Sequence, residues 1–251
     1  MDIGSETWKR TVRDGAGALG IIVGPDHVDR FAAHARELLL WNRKLNLTAI
    51  TDPIDVAVKH YLDSIAPAVD LPSSGTLLDV GSGGGFPGIP LKILLPSLTV
   101  LLIDASRKKV SFLKHAIRTL ALEGIGADHV RAEDLAEERG PTSGLKPVGT
   151  SGFADGLRRF DVVISRAVAS LDHFVDLSLP LLTEHGIIMA LKARIESREL
   201  DSAVLRLRSL LGVPTRDHDP FTVQVRRYVL PVLESERSLI TIRLKNPSAP
   251  L

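Results

Sequence analysis

The stretch Leu77-Leu78-Asp79-Val80-Gly81-Ser82-Gly83-Gly84-Gly85-Phe86-Pro87-Gly88 decides how the rest of the chain is read. An apolar run ends in an acid and opens into a cluster of glycines. Pro87 suits the first turn of a following helix, where a missing N–H costs nothing. A strand, a glycine loop and a helix N-terminus in succession let backbone approach a ligand closely. The next acid at a strand end is Asp104, after Thr99-Val100-Leu101-Leu102-Ile103. That puts a carboxylate roughly twenty residues past the glycines, where it can grip the two hydroxyls of a nucleoside ribose. The pattern predicts a nucleoside-cofactor site.

Gly83-x-Gly85-x-x-Gly88 formally matches the dinucleotide fingerprint, which is weak evidence on its own. Asp79, two residues before Gly81, is an awkward neighbour for a pyrophosphate. It suits a cofactor carrying a sulfonium and an ammonium. The strand-loop-helix unit also starts near residue 76, behind a long helical N-terminal region, and a Gly-Lys-Ser/Thr phosphate loop is absent. S-adenosylmethionine therefore leads a nicotinamide dinucleotide, and no metal is expected.

The 251 residues suffice for one α/β domain with an appended element. A hydrophobic content of 44% and a charged content of 24% are those of an ordinary soluble protein. The chain has no cysteine, which removes disulfides and thiolate metal sites and is compatible with a reducing cytoplasm. It also removes methyl transfer to pyrimidine C5 through a cysteine adduct. No apolar run approaches the ~20 residues of a membrane span, and the first residues lack a signal-peptide pattern. A net charge of +1 does not announce a nucleic-acid partner, so such a partner must be argued from local clusters.

Residues 1–24, glycine-rich and mixed in charge, read as a frayed, flexible extension. Residues 25–250 read as a single domain. Within it, helical spacing from Asp26 (Val28, Phe31, Ala35, Leu38, Leu39, Leu45) and a second helix from Pro53 fill the region 25–70. Strand-like runs at 76–80, 99–103, about 126–130, 160–165 and 186–191 then alternate with helices near 88–95, 106–122 and 172–182. This predicts a doubly wound, mostly parallel sheet. Two late β-rich stretches, about 221–231 and 237–244, predict an antiparallel C-terminal edge. Residues 138–158, rich in glycine with little periodicity, read as a loop insertion.

In such a sheet ligands sit beyond the carboxyl ends of the strands. The residues ending the strands are therefore the chemical inventory: Asp79 to Gly81, Asp104, Arg131-Ala132-Glu133-Asp134, Ser165-Arg166 and Lys192. The acid pair Glu133-Asp134 can face an adenine or simply favour a helix N-terminus. Enzymes that methylate exocyclic amines carry Asn/Asp-Pro-Pro-Tyr/Phe after the fourth strand. Here Ser165-Arg166-Ala167-Val168 stands in that place. With the cysteine route gone as well, the acceptor is a ring nitrogen or an oxygen. Guanine N7 is attractive because its lone pair is free, so catalysis reduces to alignment and exclusion of water and needs no general base.

The chain resembles the bacterial small-subunit ribosomal RNA guanine-N7 methyltransferase family, once called glucose-inhibited division protein B. The blocks that carry the resemblance are Trp41 to Thr48, Lys59-His60-Tyr61-Leu62-Asp63-Ser64, Asp79 to Leu91, Asp104 to Leu113, Phe160 to Ala167 and Leu191-Lys192. The resemblance implies a class I S-adenosylmethionine-dependent methyltransferase, a Rossmann-like sheet preceded by N-terminal helices. It also implies a donor held by Gly81, Phe86, Ala132, Glu133 and Arg166, to which the loop and strand-end reading adds Asp79, Gly83, Gly85 and Asp104. The acceptor it implies is guanine N7 in small-subunit (16S) ribosomal RNA, free or in the subunit particle, and the location is the cytoplasm, off any membrane.

From the residues themselves the case for RNA is two clusters of cations. Segment 104–118 carries Arg107, Lys108, Lys109, Lys114 and Arg118 against Asp104. Segment 192–208 carries Lys192, Arg194, Arg198, Arg206 and Arg208 against Glu196, Glu199 and Asp201. Arg107, Lys108, Lys109, Lys192 and Arg194 are the candidate phosphate contacts. His60, Arg166 and Lys192 are the candidate target-side residues, though a helical histidine also packs well without any role. The motif 41–48 is either a capping device built on Asn46 and Thr48 or an RNA contact. Small-molecule O-methylation, nicotinamide-dependent oxidoreduction and non-catalytic RNA binding are the other classes the sequence admits.

Overall fold

Seven strands form one sheet in the order β3-β2-β1-β4-β5-β7-β6. Their ranges are β1 Gly75–Val80, β2 Leu98–Asp104, β3 Ile125–His129, β4 Phe160–Ser165, β5 Leu182–Lys192, β6 Phe221–Leu230 and β7 Ser235–Leu244. The structure is a computed structural model and describes residues 1–139, 159–166, 168–213 and 219–245. β1 to β5 run parallel, and β7 and β6 close the edge antiparallel. The consecutive apolar residues Leu77-Leu78 of β1, Val100 to Ile103 of β2 and Val162 to Ile164 of β4 follow from burial on both faces, as parallel strands require. The switch point lies between β1 and β4, which go their separate ways to β2 and β5. The expected sheet, parallel with an antiparallel C-terminal edge, is what forms.

One face of the sheet is covered by α1 (Glu6–Ala18), α2 (Pro25–Leu45), α5 (Gly88–Leu94) and α6 (Arg107–Thr119). A helical run lies on the same face: α3 (Pro53–Asp55), a π-helical stretch Val56–Leu62, and α4 (Asp63–Ile65). The other face carries α7 (Ala132–Arg139), α8 (Leu171–Ser178) and α9 (Ser197–Leu211). α8 stops sooner than periodicity suggests. Pro180 cannot continue the ladder, a short 3-10 turn Leu179–Leu181 follows, and β5 begins at Leu182. The polar run Thr183-Glu184-His185 hides that early start of the strand from sequence reading. Among the described residues no helix is long and apolar enough to cross a membrane.

Residues 1–24 are not a frayed extension. Ser5 caps α1 by accepting the Trp8 N–H, and Trp8, Val12 and Ala16, at four-residue spacing, are fully buried. The Trp8 indole N–H donates to the Pro53 carbonyl at 2.9 Å, and its ring meets Tyr61 edge-on at 5.8 Å. The glycines that suggested fraying have a packing reason at Gly15, where a Cβ would lie 2.3 Å from Leu62 Cδ1. The expected insertion at 138–158 begins inside α7, and its residues from 140 onward lie outside the described residues.

Replacing Trp8 by alanine removes a filled aromatic volume and leaves a cavity, at a cost of about 3–5 kcal/mol. Urea unfolding followed by far-UV circular dichroism measures it. A loss below ~1 kcal/mol would return α1 to the status of an appendage.

Candidate functional site

The glycine loop is held from both sides by strand-end acids. Gly81 turns the chain at the end of β1 with φ +74°, a conformation that favours glycine. The Gly81 and Ser82 N–H groups both donate to the Ile103 carbonyl, at 2.9 and 3.0 Å. Asp104 Oδ2 accepts the Gly83 N–H at 3.0 Å and Oδ1 accepts the Ser106 N–H at 2.8 Å. Asp79 Oδ2 accepts the Gly88 N–H at 2.9 Å at the start of α5. Gly88 itself has no room for a side chain, since a Cβ would lie 2.3 Å from Leu102 and 2.7 Å from Asp79. Gly85 likewise lies against Ile89 and His34. A Cβ at Gly83 meets only the Gly81 carbonyl at 3.9 Å, so the open side of the cradle is there.

Phe86 follows the glycines and is the centre of a stack. The His60 ring lies parallel to it at 4.4 Å and 8°, the Arg166 guanidinium sits 5.0 Å from its centroid, and Tyr61 meets it edge-on at 5.5 Å. Its side chain is enclosed and its N–H donates to the Ser82 carbonyl at 2.9 Å. Arg166, from the end of β4, donates to the Lys59 carbonyl at 2.8 Å and to His60 Nδ1 at 3.2 Å. A guanidinium only donates, so Nδ1 must accept and the imidazole proton sits on Nε2. Nε2 is 2.9 Å from Thr48 Oγ1, which also receives the Ile50 N–H. Asn42 completes the chain through two 2.9 Å bonds with the backbone of Thr48. The motif 41–48 is thus a capping and bracing device, with Asn46 at φ +50° ending α2. Its hydroxyl reaches His60, and through His60 it reaches Arg166.

His60 is buried and stacked, so it does not present itself to a target base. It holds Arg166 in place, inside a stretch whose π-helical winding is a feature frequent at functional sites. Asp63, on the next turn, is buried and faces three partners: the Tyr228 hydroxyl at 2.9 Å, Arg237 at 3.5 Å and Arg166 at 4.0 Å. The resemblance block 59–64 contains Asp63 without giving it a role, and Tyr228 and Arg237 have no signal in the sequence. The signals for Asp63 are that block and an acid inside an apolar helical run.

The remaining candidates divide. Ala132 is buried and Glu133 exposed at the start of α7, the latter 3.7 Å from His173. Lys192 is not free for a phosphate, because its ammonium pairs with Glu199, which also accepts the Leu171 N–H. Arg107 and Lys108 project from the first turn of α6 and Lys109 reaches Asp104 at 3.7 Å. Arg194 is 81% exposed, 3.8 Å from Glu236.

Burial decides the protonation states. His34, on α2, bonds the Tyr61 hydroxyl through Nδ1 at 3.0 Å, and burial pushes its pKa from 6.5 down to about 3. His60 falls to about 3 as well, by burial first and then by the charge of Arg166. Asp79 moves the other way: burial raises its carboxyl to about 7, against the Gly88 bond and Arg166 that favour the anion. Its Oδ1 is buried without a hydrogen-bond partner.

These shifts have opposite consequences for stability. A histidine whose folded pKa lies below its unfolded value costs nothing above pH 6.5. As pH falls from 6.5 toward 3 the unfolded chain takes up a proton that the fold refuses, and stability is lost. A carboxyl raised from 3.8 to about 7 does the reverse, because the fold keeps a proton that the unfolded chain gives up. The unfolding free energy of the parent minus that of His60→Gln should therefore decline with falling pH below 6.5, by up to ~1.4 kcal/mol per pH unit. The same difference for Asp79→Asn should rise between pH 7 and about 4. Parallel pH profiles for parent and both variants would contradict the assignment.

Comparison with known proteins gives the family and the fold. The model of the family GidB, described as rRNA small subunit methyltransferase G, matches residues 27–211. The ribosomal RNA small subunit methyltransferase G of Geobacter sp. (strain M21) is 38% identical over 235 residues, covering 93% of this chain and 96% of that protein. The protein of the same name from Halalkalibacterium halodurans is 36% identical over 233 residues, covering 92% of this chain and 88% of the relative. Among solved structures, an O-methyltransferase from Bacillus cereus in complex with SAH aligns with a TM-score of 0.57 at 14% identity, covering 96% of this chain and 99% of that one. An O-methyltransferase from Streptomyces achromogenes in complex with SAM gives 0.56 at 15% identity, covering 97% and 99%. At those identities the two structures speak for the fold alone. Sequence blocks, sheet order and family match coincide, and the chain belongs to the GidB family, rRNA small subunit methyltransferase G.

Proposed function

We propose that this methyltransferase moves the methyl group of S-adenosylmethionine to N7 of one guanine in 16S ribosomal RNA. The observation that carries the donor half is the meeting of the Gly81 turn and the Asp104 carboxylate at the ends of two neighbouring strands. The donor set fits the ligand. Asp104 can take the ribose hydroxyls, and the space over Gly83 admits a ligand against the backbone. Ala132 and Glu133 stand at the end of β3 for the adenine side, and Arg166, set by His60 and Lys59, for the methionine side or the acceptor. The donor, when bound, supplies an electrophilic methyl on a sulfonium.

What the chain's own residues contribute is placement. Both nitrogens of His60 are already bonded, and burial keeps it neutral. It is not poised to take a proton from substrate. Guanine N7 asks for none, since its lone pair attacks without deprotonation, and orientation with water excluded carries the rate. Arg107, Lys108 and Lys109 support an RNA acceptor in a further way. The first turn of α6 holds these cations and no acid, the unfavourable sign for a helix N-terminus. A polyanion at that rim would offset the penalty. An acceptor in ribosomal RNA goes with work in the cytoplasm.

RNA in which the target guanine is replaced by 7-deazaguanine should bind within about threefold of the natural RNA. In single turnover it should accept no methyl group. Transfer to the analogue would mean that another atom is the nucleophile and would overturn the N7 assignment.

A further inference from the structure

The β6–β7 hairpin runs past the end of β5. The last β5 pair is Lys192 with Ser238, whereas β6 and β7 go on pairing from Arg227 with Ser238 out to Leu230 with Ser235. The overhang therefore stands on the same rim as the carboxyl ends of β1, β2 and β4, where the candidate site lies. Between it and the loop after β5 is a cavity of about 390 Å³. Arg194, Arg227, Arg237 and Tyr228 line it, with Glu236 as the acid among its lining residues.

We propose that this cavity binds a backbone phosphate of the acceptor RNA next to the target guanosine, with Arg194 and Arg227 as its grips and Arg237 as its floor. The proposal rests on the ribosomal RNA reading above and adds a site to it. Three guanidiniums against one carboxylate leave a net positive surround, and each offers a planar fork matched to phosphate oxygens. Arg194 and Arg227 are exposed, and the ion pair of Arg194 with Glu236 is long, at 3.8 Å, so neither is consumed by the fold. Arg237 is tied down from behind: it faces Asp63 at 3.5 Å and donates to the Glu236 carbonyl at 2.9 Å. Asp63 also lies 4.0 Å from Arg166. One buried carboxylate thus sets the position of the cavity floor and of the arginine at the candidate site. A strand of RNA held over Arg237 is led toward Arg166. Val229 and Val232, 52% and 59% exposed on the overhang, give its tip an apolar surface for a ribose or base edge.

The test compares the parental chain with Arg194→Ala, Arg227→Ala and the double variant. RNA affinity is measured for small-subunit ribosomal RNA across 50–300 mM KCl, together with S-adenosylmethionine affinity and steady-state kinetics. Each substitution should shallow the slope of log K against log salt by about 0.7–0.9. The double variant should bind RNA about tenfold or more weakly at low salt, raise KM for RNA, and leave kcat at saturating RNA and donor affinity within about twofold. Arg227→Lys, which keeps the charge, should keep the slope, a behaviour that a merely structural role would not produce. Variants with parental slope and affinity, beside a parent that methylates the RNA, would remove this cavity from the RNA path and leave the acceptor assignment standing. A parent that neither binds nor methylates the RNA would bring down both.

Discussion

A guanidinium that can only donate sets the order of everything around it. Arg166 leaves the end of β4 and lies over Phe86 of the glycine loop, its two arms fixed by the Lys59 carbonyl and His60 Nδ1. That choice of acceptor fixes the tautomer of His60, and the tautomer fixes the direction of the bond to Thr48. Helices pack on both faces of the sheet as two separate cores. Arg166 is where the end of β4 reaches the helical layer that carries Lys59 and His60.

Charge in this layer is tolerated because it is either paired or suppressed. His34 and His60 remain neutral under burial, and Asp63 spreads its charge over a hydroxyl and two arginines. A protonated His60 would stand beside Arg166 with no acid of its own, and the bond that orients the guanidinium would be lost. The same reasoning separates Asp79 from Asp104. Asp79 is sealed beneath the loop and holds the start of α5. Asp104 has both oxygens on backbone N–H groups, those of Gly83 and Ser106, and so ties the loop after β1 to the loop after β2. Two strand-end acids of similar sequence context therefore take different work.

The strand-loop-helix pattern made the sheet and the glycine cradle readable, because alternation and glycine spacing are local properties. Residues whose roles come from long-range neighbours were not readable. His60 looked like a target-side group and is a brace, since its partners Thr48, Phe86 and Arg166 are far apart in the chain. Lys192 looked like a free cation and is paired with Glu199 across the β5–α9 loop. The glycines of α1 suggest fraying, yet Gly15 serves close packing against Leu62, which no local rule reveals. Asp63 and Arg237 meet only in the fold, across a separation that sequence periodicity does not span.

The central claim is that this fold delivers a methyl group to N7 of a single guanine in the small-subunit RNA. N7-methylguanosine is chemically labile, so borohydride reduction and aniline cleavage followed by primer extension maps it along 16S ribosomal RNA. RNA from cells carrying the chain, from cells lacking it, and from cells carrying Arg166→Ala should be mapped side by side. One cleavage position should be present in the first and absent from the other two. Identical cleavage maps with and without the chain would contradict the account.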